Sequence, residues 1–415
     1  MKQIRLKNLC LLNPLPNKKN KEKNGTFLPM EKVGSGSFSL ELSLPYEQMC
    51  SGYTSMQNND VIRAIVTPCF ENNKGTLLKD LENGFAFGST EFMCLRPKKI
   101  NSKFLYYITA SEDFKIYALK SMKGVGGLRR INSKFALTYT INNYPLSQQT
   151  TIANYLDHHT TKLDKEISLL EQKVEKLDEY KQALIYETVT KGLDKNVPMK
   201  DSGIEWIGMI PEHWEVKRVK DFSQCYAGGT PETNKDEYWE SGTNYWAASG
   251  NLKNGLINLD ILKKITDLAT KNSSTKKINP FTTLIAMTGA TCGEVGYSDT
   301  TIYANQSVCA IKNKKRNSNY KYIFYYFLSA RKDVESLKLG GAQAGINGDD
   351  VKHIKIVFPN ILEQQQIIEY LDEQCSKIDK KKELINKKVE LLKEYKQSLI
   401  YEAVTGKIEV GEYNE

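Results

Sequence analysis

The segments of this sequence that could support chemistry are two glycine-rich strings and one group of carboxylates beside a lysine. Glycine-rich loops bind phosphate when their glycines stand at set spacings and a helix follows them. The strings GSGSFS (34–39) and GVGGLR (124–129) each lack the third glycine at that spacing and open no helical segment, so we interpret both as turns. In PEHWEVK (211–217) the two glutamates and the lysine stand too close together in sequence to surround a metal ion.

Signatures of other enzymes are missing from the sequence. It has no G-x-x-x-x-G-K-[ST] loop for nucleotide phosphates, no G-x-S-x-G turn for a nucleophilic serine and no H-E-x-x-H zinc motif. The string NNYP (142–145) comes nearest to the loop with which amino-methyltransferases hold a base, but it lacks the proline pair. The sequence therefore predicts no catalytic residue and favours a binding or targeting role.

The cysteines and histidines argue against a metal site. The 8 cysteines include no C-x-x-C pair, and His158 and His159 are neighbours that would point in different directions on a helix. We expect reduced thiols, no disulfide framework and no metal ligands.

The overall charge suits a polyanionic partner. Lys and Arg number 58 against 49 Asp and Glu, so the formal net charge is +9, the sign that favours phosphate contacts. The mean hydropathy is -0.49, and no apolar run approaches the roughly 18 residues that would cross a bilayer. The basic N-terminus is too short and too broken in its apolar stretch for a signal peptide. These features predict a cytoplasmic protein with no membrane partner.

An internal repeat organises the chain. Residues 149–190 align without a gap to residues 364–405, so every aligned pair is separated by the same distance along the chain, and 23 of the 42 aligned positions are identical. The identities include polar residues such as Asp157 and Asp372, which shared amphipathic spacing alone would not produce. The repeat is therefore interpreted as a duplication.

Both copies of the repeat have the apolar spacing of a coiled-coil helix. Apolar residues recur at alternating three- and four-residue steps, interrupted by Lys181, Lys382 and Lys396. A single exposed helix of this length is marginally stable, so we expect the two copies to pack against each other. The residues predicted to pair the helices are Leu163, Ile167, Leu170, Val174, Leu177, Leu184, Ile378, Ile385, Val389, Leu392 and Leu399.

A globular block precedes each copy of the repeat. Short apolar runs bounded by Gly, Asn, Asp and Pro, such as VIRAIV (61–66) and TLIAMT (283–288), indicate strands and turns. Each block also contains one short aromatic helix candidate. The predicted division is an α+β block at 1–146, a long helix at 147–192, a linker at 193–213, a second α+β block at 214–359 and a second long helix at 360–408.

Several strings distributed over the whole chain belong to one recognisable pattern. With them the sequence resembles the specificity subunit of a Type I restriction-modification system. The strings are RAIVTPCFENNKG (63–75), STEFMCLRPKK (89–99), PEHWEVKRVKD (211–221), GGTPETNKDEYW (228–239), NYWAASGNL (244–252), MTGATCGEVGY (287–297), YANQSVCAIKN (303–313), PNILEQQQIIEYLD (359–372) and LLKEYKQSLIYEAVTGKI (391–408).

The resemblance implies an architecture and a function. The two blocks would be target recognition domains, each reading one half of a split site in double-stranded DNA. The two helices would pair antiparallel with pseudo-two-fold symmetry and space the domains apart. Two methyltransferase subunits and restriction/translocase subunits would be the partners. They would carry S-adenosylmethionine, ATP and Mg, so this subunit would need no cofactor. The alternative from another class is a coiled-coil scaffold whose globular domains bind other proteins.

Candidate DNA contacts follow from residue types that bind base edges and phosphates. The loop 124–134 brings together arginines, a lysine and glycines, and the loop 340–350 stands at the matching place in the second block. Polar loops of the second block supply further candidates. The predicted DNA-binding residues are Arg129, Arg130, Lys134, Thr230, Asn244, Ser249, Asn251, Gln343 and Asn347.

Overall fold

The computed structural model describes residues 2–124, 129–314, 318–338 and 344–411. The chain divides into two compact units. Unit 1 combines Met1–Glu171 with Ile385–Glu415, and unit 2 is the continuous segment Gln172–Leu384. Each unit therefore contains one globular block together with a part of both long helices.

The first half of the chain folds into short strands and short helices followed by one long helix. The strands are β1 (Gln3–Arg5), β2 (Cys10–Leu12), β3 (Asn24–Leu28), β4 (Ser43–Pro45), β5 (Thr54–Gln57), β6 (Val61–Ala64), β7 (Gly75–Leu77), β8 (Phe85–Gly88), β9 (Phe92–Pro97) and β10 (Thr140–Asn142). The helices are α1 (Tyr46–Met49), α2 (Ser102–Ala110), α3 (Glu112–Leu119), α4 (Ser133–Ala136) and the long α5 (Leu146–Lys191).

The second half repeats this plan. Its strands are β11 (Met199–Asp201), β12 (Met209–Pro211), β13 (Glu215–Arg218), β14 (Ser223–Ala227), β15 (Asn244–Ala247), β16 (Gly255–Leu256), β17 (Lys263–Ile265), β18 (Thr282–Ala286), β19 (Val295–Ser298), β20 (Tyr303–Ala304), β21 (Val308–Asn313) and β22 (Lys355–Phe358). Its helices are α6 (Val219–Phe222), α7 (Asp267–Asn272), α8 (Tyr320–Ser329), α9 (Arg331–Ser336), α10 (Gly348–His353) and the long α11 (Ile361–Thr405).

The sheets of unit 1 are small and mostly antiparallel. One has the strand order β2-β9-β6-β7 and the other β4-β3-β8-β5, in which β3 and β8 are parallel. The separate ribbon β1-β10 joins the start of the block to the segment just before α5. The aromatic helix α2 packs Phe104 and Leu105 into the main core of the unit.

The sheets of unit 2 follow a related plan. A five-stranded sheet has the order β14-β21-β18-β19-β16, and a three-stranded sheet has the order β17-β15-β20. The ribbon β13-β22 again joins the start of the block to the segment before its long helix. The predicted linker 193–213 contains the hairpin β11-β12, and its Ile207 and Ile210 are buried in the core of this unit.

Both long helices end at a glycine in the left-handed conformation. Gly192, with φ at 77°, follows α5, and Gly406, with φ at 74°, follows α11. A side chain would be strained at this backbone conformation, so glycine is the residue that stops a helix here. A methyl group on Gly406 would also stand 2.3 Å from the hydroxyl of Tyr144.

In unit 1 the beginning of α5 pairs antiparallel with the end of α11. Asp164 contacts Lys396 at 2.6 Å and Glu171 contacts Lys393 at 3.2 Å, so residue numbers rise in one helix as they fall in the other. Between these pairs Ile167 is only 8% exposed. The seam that the sequence predicts is thus occupied by apolar contacts with charges on its flanks.

Unit 2 contains the corresponding half of the pairing. Lys181 contacts Asp379 at 2.7 Å, and Lys382 makes an ion pair with Asp178, which again gives antiparallel helices. The predicted α+β class with two domains and two paired long helices is therefore confirmed. Of the predicted seam residues over both units, the buried ones are Ile167, Ile378, Ile385, Val389 and Leu399, and the half-buried ones are Leu163, Leu170, Val174, Leu177, Leu184 and Leu392.

The lysines that interrupt the apolar pattern are part of the pairing. Lys181 and Lys396 occupy the same position in the two copies of the repeat, and so do their partners Asp379 and Asp164. Each unit therefore contains the same ion pair. The stems of both lysines lie along the seam, with only about a quarter of each side chain exposed (25% and 24%), while the ammonium group reaches a carboxylate at the rim. Polar groups at such positions fix the register of paired helices.

Ile167 and Leu169 offer a matched test of the seam, since they lie two residues apart on α5 but differ in burial, at 8% and 56% exposed. We expect Ile167→Ala to lower the free energy of unfolding by about 2–5 kcal/mol, because it removes buried methylene groups and leaves a cavity. Leu169→Ala should change it by less than about 0.5 kcal/mol. Urea unfolding followed by circular dichroism measures both. Equal losses would show that the seam does not lie where the contacts place it.

Candidate nucleic-acid interface

Arg129 and Arg130 lie at the surface of unit 1, and each faces a carboxylate. The Nε of Arg130 donates to both carboxylate oxygens of Glu91, at 3.1 and 2.8 Å, and this hydrogen bonding lowers the pKa of Glu91. Arg129 approaches Glu71 at 3.5 Å. About half of each arginine side chain stays exposed (51% and 49%). Their guanidinium groups therefore retain donors that can reach a base edge or a phosphate.

Two of the predicted contacts lie at the beginnings of short helices. Lys134 is exposed in the first turn of α4, which Asn132 caps by accepting a hydrogen bond from the backbone of Phe135 at 3.1 Å. Asn347 caps α10 in the same way, since its Oδ1 accepts from the backbone of Asp349 at 2.7 Å and of Asp350 at 3.0 Å. Asn132 and Asn347 are separated by the same distance along the chain as the two copies of the repeat. The predicted contact Gln343 lies outside the described residues.

The remaining candidates surround strand β15 in unit 2. Thr230 donates to Oε1 of Gln306 at 2.6 Å. Asn244 begins β15 and donates to the carboxylate of Asp267 at 2.8 Å. Asn251 accepts from the backbone of Ala248 at 2.8 Å, which closes the turn that begins at Ser249. These side chains help to hold the loops, and their role toward DNA stays a prediction.

A contact that the sequence did not suggest fixes each block to its own long helix. In unit 1 the carboxylate of Asp157 on α5 accepts a hydrogen bond from the hydroxyl of Tyr107 at 2.7 Å and makes an ion pair with Lys103. Both partners belong to α2. Burial raises the pKa of Tyr107 above its usual range, so this hydroxyl stays protonated and donates.

Unit 2 repeats the contact with equivalent residues. The carboxylate of Asp372 on α11 accepts from the hydroxyl of Tyr325 at 2.7 Å and from the ammonium of Lys321 at 2.5 Å, and both partners belong to α8. The signal in the sequence was the identity of Asp157 and Asp372, which close the shared string Tyr-Leu-Asp near the start of the repeat. Their partners lie outside the repeat, so the repeat alone could not identify them.

A buried glutamine completes the attachment in each unit. Oε1 of Gln149 accepts from the backbone of Asn101 at 2.8 Å, and Oε1 of Gln364 accepts from the backbone of Asn319 at 2.9 Å. Both amides also donate to the chain just before their helix, Gln149 to the carbonyl of Tyr144 at 2.9 Å. Buried polar groups that are fully hydrogen-bonded define one geometry. Each globular block is thus held to its helix by an equivalent set of polar contacts.

Within the described ranges, no three His, Cys, Asp or Glu side chains are grouped as the ligands of a metal ion would be. In the same ranges, no helix is both long enough and apolar enough to span a membrane.

The sequence of this chain is similar to that of one known protein family. Residues 211–391 match a family model described as the Type I restriction modification DNA specificity domain. The EcoAI specificity subunit of Escherichia coli is 28% identical over 216 residues, which are 51% of this chain and 36% of that protein. The EcoR124I/EcoR124II specificity subunit of the same organism is 30% identical over 184 residues, 43% of each chain. This chain thus spans less than half the length of these two relatives.

An archaeal relative and two solved structures are similar to a larger part of the chain. The putative MjaX specificity subunit of Methanocaldococcus jannaschii is 24% identical over 338 residues, 79% of this chain and 73% of that protein. A chain from a structure describing assembly and conformational transition of the Type I system superimposes with a TM-score of 0.79 at 16% identity, covering 98% of both chains. The HsdS subunit of Thermoanaerobacter tengcongensis gives 0.55 at 17% identity, covering 98% and 97%.

The likeness to the solved structures shows the class of fold, which has two α+β domains and two paired long helices. The duplicated attachment of each block to its helix agrees with that class. The chain is similar to the specificity subunits of Type I restriction-modification systems, and residues 211–391 match the Type I DNA specificity domain.

The capping asparagines generate a prediction about stability. We expect Asn347→Ala to lower the free energy of unfolding by about 0.5–2 kcal/mol, because two backbone N–H groups of α10 lose their acceptor. Asn347→Asp should preserve stability, since a carboxylate accepts the same hydrogen bonds. Asn132→Ala on α4 is the matched change in unit 1. Thermal unfolding measures all three. Altered DNA specificity in Asn347→Asp at unchanged stability would instead assign the amide to base reading.

Proposed function

We propose that the chain is the DNA-recognition subunit of a Type I system and directs methyltransferase and restriction subunits to a split DNA site. The observation that carries this proposal is the duplication of the attachment, in which Asp157 and Asp372 each bind a tyrosine and a lysine of their own block. Two equivalently mounted blocks suit two half-sites, because the strands of duplex DNA are related by approximate two-fold symmetry. Acting on cellular DNA, the subunit would work in the cytoplasm.

The two blocks present different side chains on the same backbone arrangement. In unit 1 Arg130 forms a bridge with Val66, and in unit 2 Gly345, at the corresponding position of the second half, forms the equivalent bridge with Thr288. The next residue of each loop, Ile131 or Ile346, donates its N–H to the facing segment at 2.9 or 2.8 Å. A shared scaffold with an arginine on one side and a glycine on the other supports reading of two unrelated sequences.

Chemistry would belong to the partner subunits. S-adenosylmethionine for methyl transfer, and ATP with Mg for translocation and cleavage, are proposed cofactors of those partners and not of this chain. This division follows the named role of the relatives as specificity subunits.

Exposed apolar residues support docking of two copies of the same partner. In unit 1 Leu169 and Tyr395 are 56% and 56% exposed, and in unit 2 Leu384 and Tyr180 are 69% and 57% exposed. The two leucines occupy the same position in the two copies of the repeat, and so do the two tyrosines. Exposed apolar residues retained by both copies of a duplicated helix favour equivalent binding surfaces.

The leucine and tyrosine of each unit lie on one flank of the helix pair. All four stand one residue before a seam position, and in an antiparallel pair such positions from both helices share a flank. Glu166 and Lys388 also stand one residue before the seam, and their contact at 2.8 Å joins the helices along this flank in unit 1. We propose that one methyltransferase subunit binds each patch.

The first test of the proposed function concerns DNA reading. Replacing Arg129 and Arg130 by Ala should relax or abolish recognition of one half-site, at about 1–3 kcal/mol for each lost base contact. The other half-site should be read as before. Methylome sequencing of cells that also carry the partner subunits measures both. The charge-matched control replaces the exposed Lys98 and Lys99 of the same block by Ala and should leave both half-sites unchanged. A change in both half-sites together would contradict the proposal.

The second test concerns the partners. Leu169→Glu with Tyr395→Glu should leave one methyltransferase bound per chain, because charges on the patch of unit 1 prevent its burial in an interface. Leu384→Glu with Tyr180→Glu should do the same through unit 2, and all four changes together should leave none. Native mass spectrometry of the mixed subunits counts the copies. Leu15→Glu, at an 87% exposed leucine of unit 1, is the control and should retain two. Two copies bound to the fourfold variant would rule out these patches.

A further inference from the structure

An open pocket in unit 2 is lined by two tryptophans and two lysines. It has a volume of about 390 Å³ and is formed by Thr233, Trp239, Trp246, Lys263 and Lys264. The two indole rings meet edge to face, with centroids 5.2 Å apart and planes at 87°. Both tryptophans belong to strings that marked the family resemblance, GGTPETNKDEYW and NYWAASGNL. The residues predicted above to contact DNA do not include these two tryptophans.

The polar groups of both indoles are already committed within unit 2. The N–H of Trp246 donates to the carbonyl of Gly229 at 3.1 Å, and the N–H of Trp239 donates to the carbonyl of Glu232 at 3.1 Å. These bonds fix the orientation of the rings. What the pocket offers to a ligand is therefore mainly carbon surface of Trp239, which is half-buried, since Trp246 is only 8% exposed.

The backbone beside the pocket is packed so closely that only glycine fits. A methyl group on Gly228 would stand 2.1 Å from the carbonyl oxygen of Ala304, and one on Gly229 would stand 2.3 Å from that of Ser274. These contacts hold the loop that carries Thr230, and the carbonyl of Gly229 in turn holds Trp246. The pocket is thus a preformed feature of the fold, which lowers the ordering cost of binding.

The two lysines at the pocket come from the edge strand β17 and are both exposed. The ammonium of Lys263 lies 5.7 Å from the centroid of Trp239, and that of Lys264 lies 5.1 Å from the centroid of Tyr245. Neither lysine has a carboxylate within ion-pair distance in the described part of the chain. Positive charge next to aromatic surface is the combination that binds the phosphate and the ring of a nucleotide together.

We propose that this pocket takes one unpaired nucleobase of the bound DNA strand, with the adjoining phosphates on Lys263 and Lys264. This proposal rests on the proposed function, and it adds a stacking site to a subunit that otherwise reads base edges. A base inside a duplex presents only its edge to a groove. A ring that contacts the indole surface must therefore leave the stack. Both indole N–H groups are already hydrogen-bonded to backbone carbonyls, so neither can select one base. The site would therefore bind an unpaired base without distinguishing which base it is.

Mismatch scanning of the complete complex tests the proposal. The duplexes carry the target found by methylome sequencing, with one mismatched pair moved stepwise through and beside the half-site read by unit 2. At one position the mismatch should tighten binding about tenfold, because the cost of unpairing that base has been removed in advance. Trp239→Ala should lose this gain, and Trp239→Phe, which keeps a ring, should retain part of it. Mismatches beside the other half-site should give no gain that Trp239→Ala removes.

The lysines are tested on the same duplexes. Lys263→Ala with Lys264→Ala should weaken binding of matched and mismatched DNA alike and lower the slope of log K against log salt by up to about two. The matched control, Lys276→Ala with Lys277→Ala, removes two neighbouring exposed lysines of the same unit that do not line the pocket. It should keep the tenfold gain and bind more tightly than the pocket variant.

The outcomes separate this proposal from the one on which it rests. Sequence-selective binding without a tightening mismatch at any position would overturn the base pocket and leave the recognition role intact. Retention of the full gain in Trp239→Ala would also overturn the pocket. Absence of sequence-selective binding by the wild-type complex would overturn both.

Discussion

Each globular block completes its core with the end of a helix from the other half of the chain, and the rest of the structure depends on this closure. In unit 1 the main core includes Leu399 and Val404 from the end of α11. In unit 2 it includes Ile185 and Val189 from the end of α5. An isolated helix of this length and polarity is only marginally stable, because most helical stability comes from packing of an apolar face. Each long helix therefore depends on the other helix and on the two blocks to bury its apolar side. The two helices therefore pack against each other and also contribute residues to both cores.

Each block contacts two helices. It makes polar contacts with the first part of the long helix that follows it, and apolar contacts with the end of the long helix from the other half of the chain. At the beginning, Asp157 and Asp372 hold a tyrosine and a lysine in fixed positions. Hydrogen bonds and ion pairs require defined angles, whereas apolar contacts tolerate small shifts. This combination sets the angle of each block on its helix while leaving the surface loops free to diverge. Divergence is visible where Arg130 and Gly345 occupy equivalent backbone positions.

The sequence is sufficient to predict the helices and insufficient to predict the sheets. The repeat identifies α5 and α11 because identical polar residues at a constant shift have no other simple origin. The sheets depend on register between distant strands, such as β3 beside β8, which periodicity does not encode. The segment 193–213 is predicted as a linker because Gly and Pro punctuate it, yet the same residues also form the turns of its hairpin.

The candidate site was harder to predict, for a physical reason that particular residues illustrate. An asparagine can cap a helix or read a base with the same amide, and Asn347 caps α10. A lysine in an apolar pattern can interrupt a seam or order it, and Lys396 orders it through Asp164. In both cases the deciding partner is either local backbone or a residue from the other half of the chain. Composition and spacing do not indicate which partner such a side chain binds.

The discontinuity of unit 1 has a consequence for synthesis on the ribosome. Its block is complete by Glu171, but the segment that closes its core begins at Ile385. At about 5–20 residues per second the intervening chain takes roughly 10–40 s to emerge. During that interval the first block exists with part of its apolar surface uncovered, while unit 2, being continuous, can close as soon as it is made. The block synthesised first is thus the one that matures last, and a chain that stops before Ile385 would leave it permanently open to chaperones and proteases.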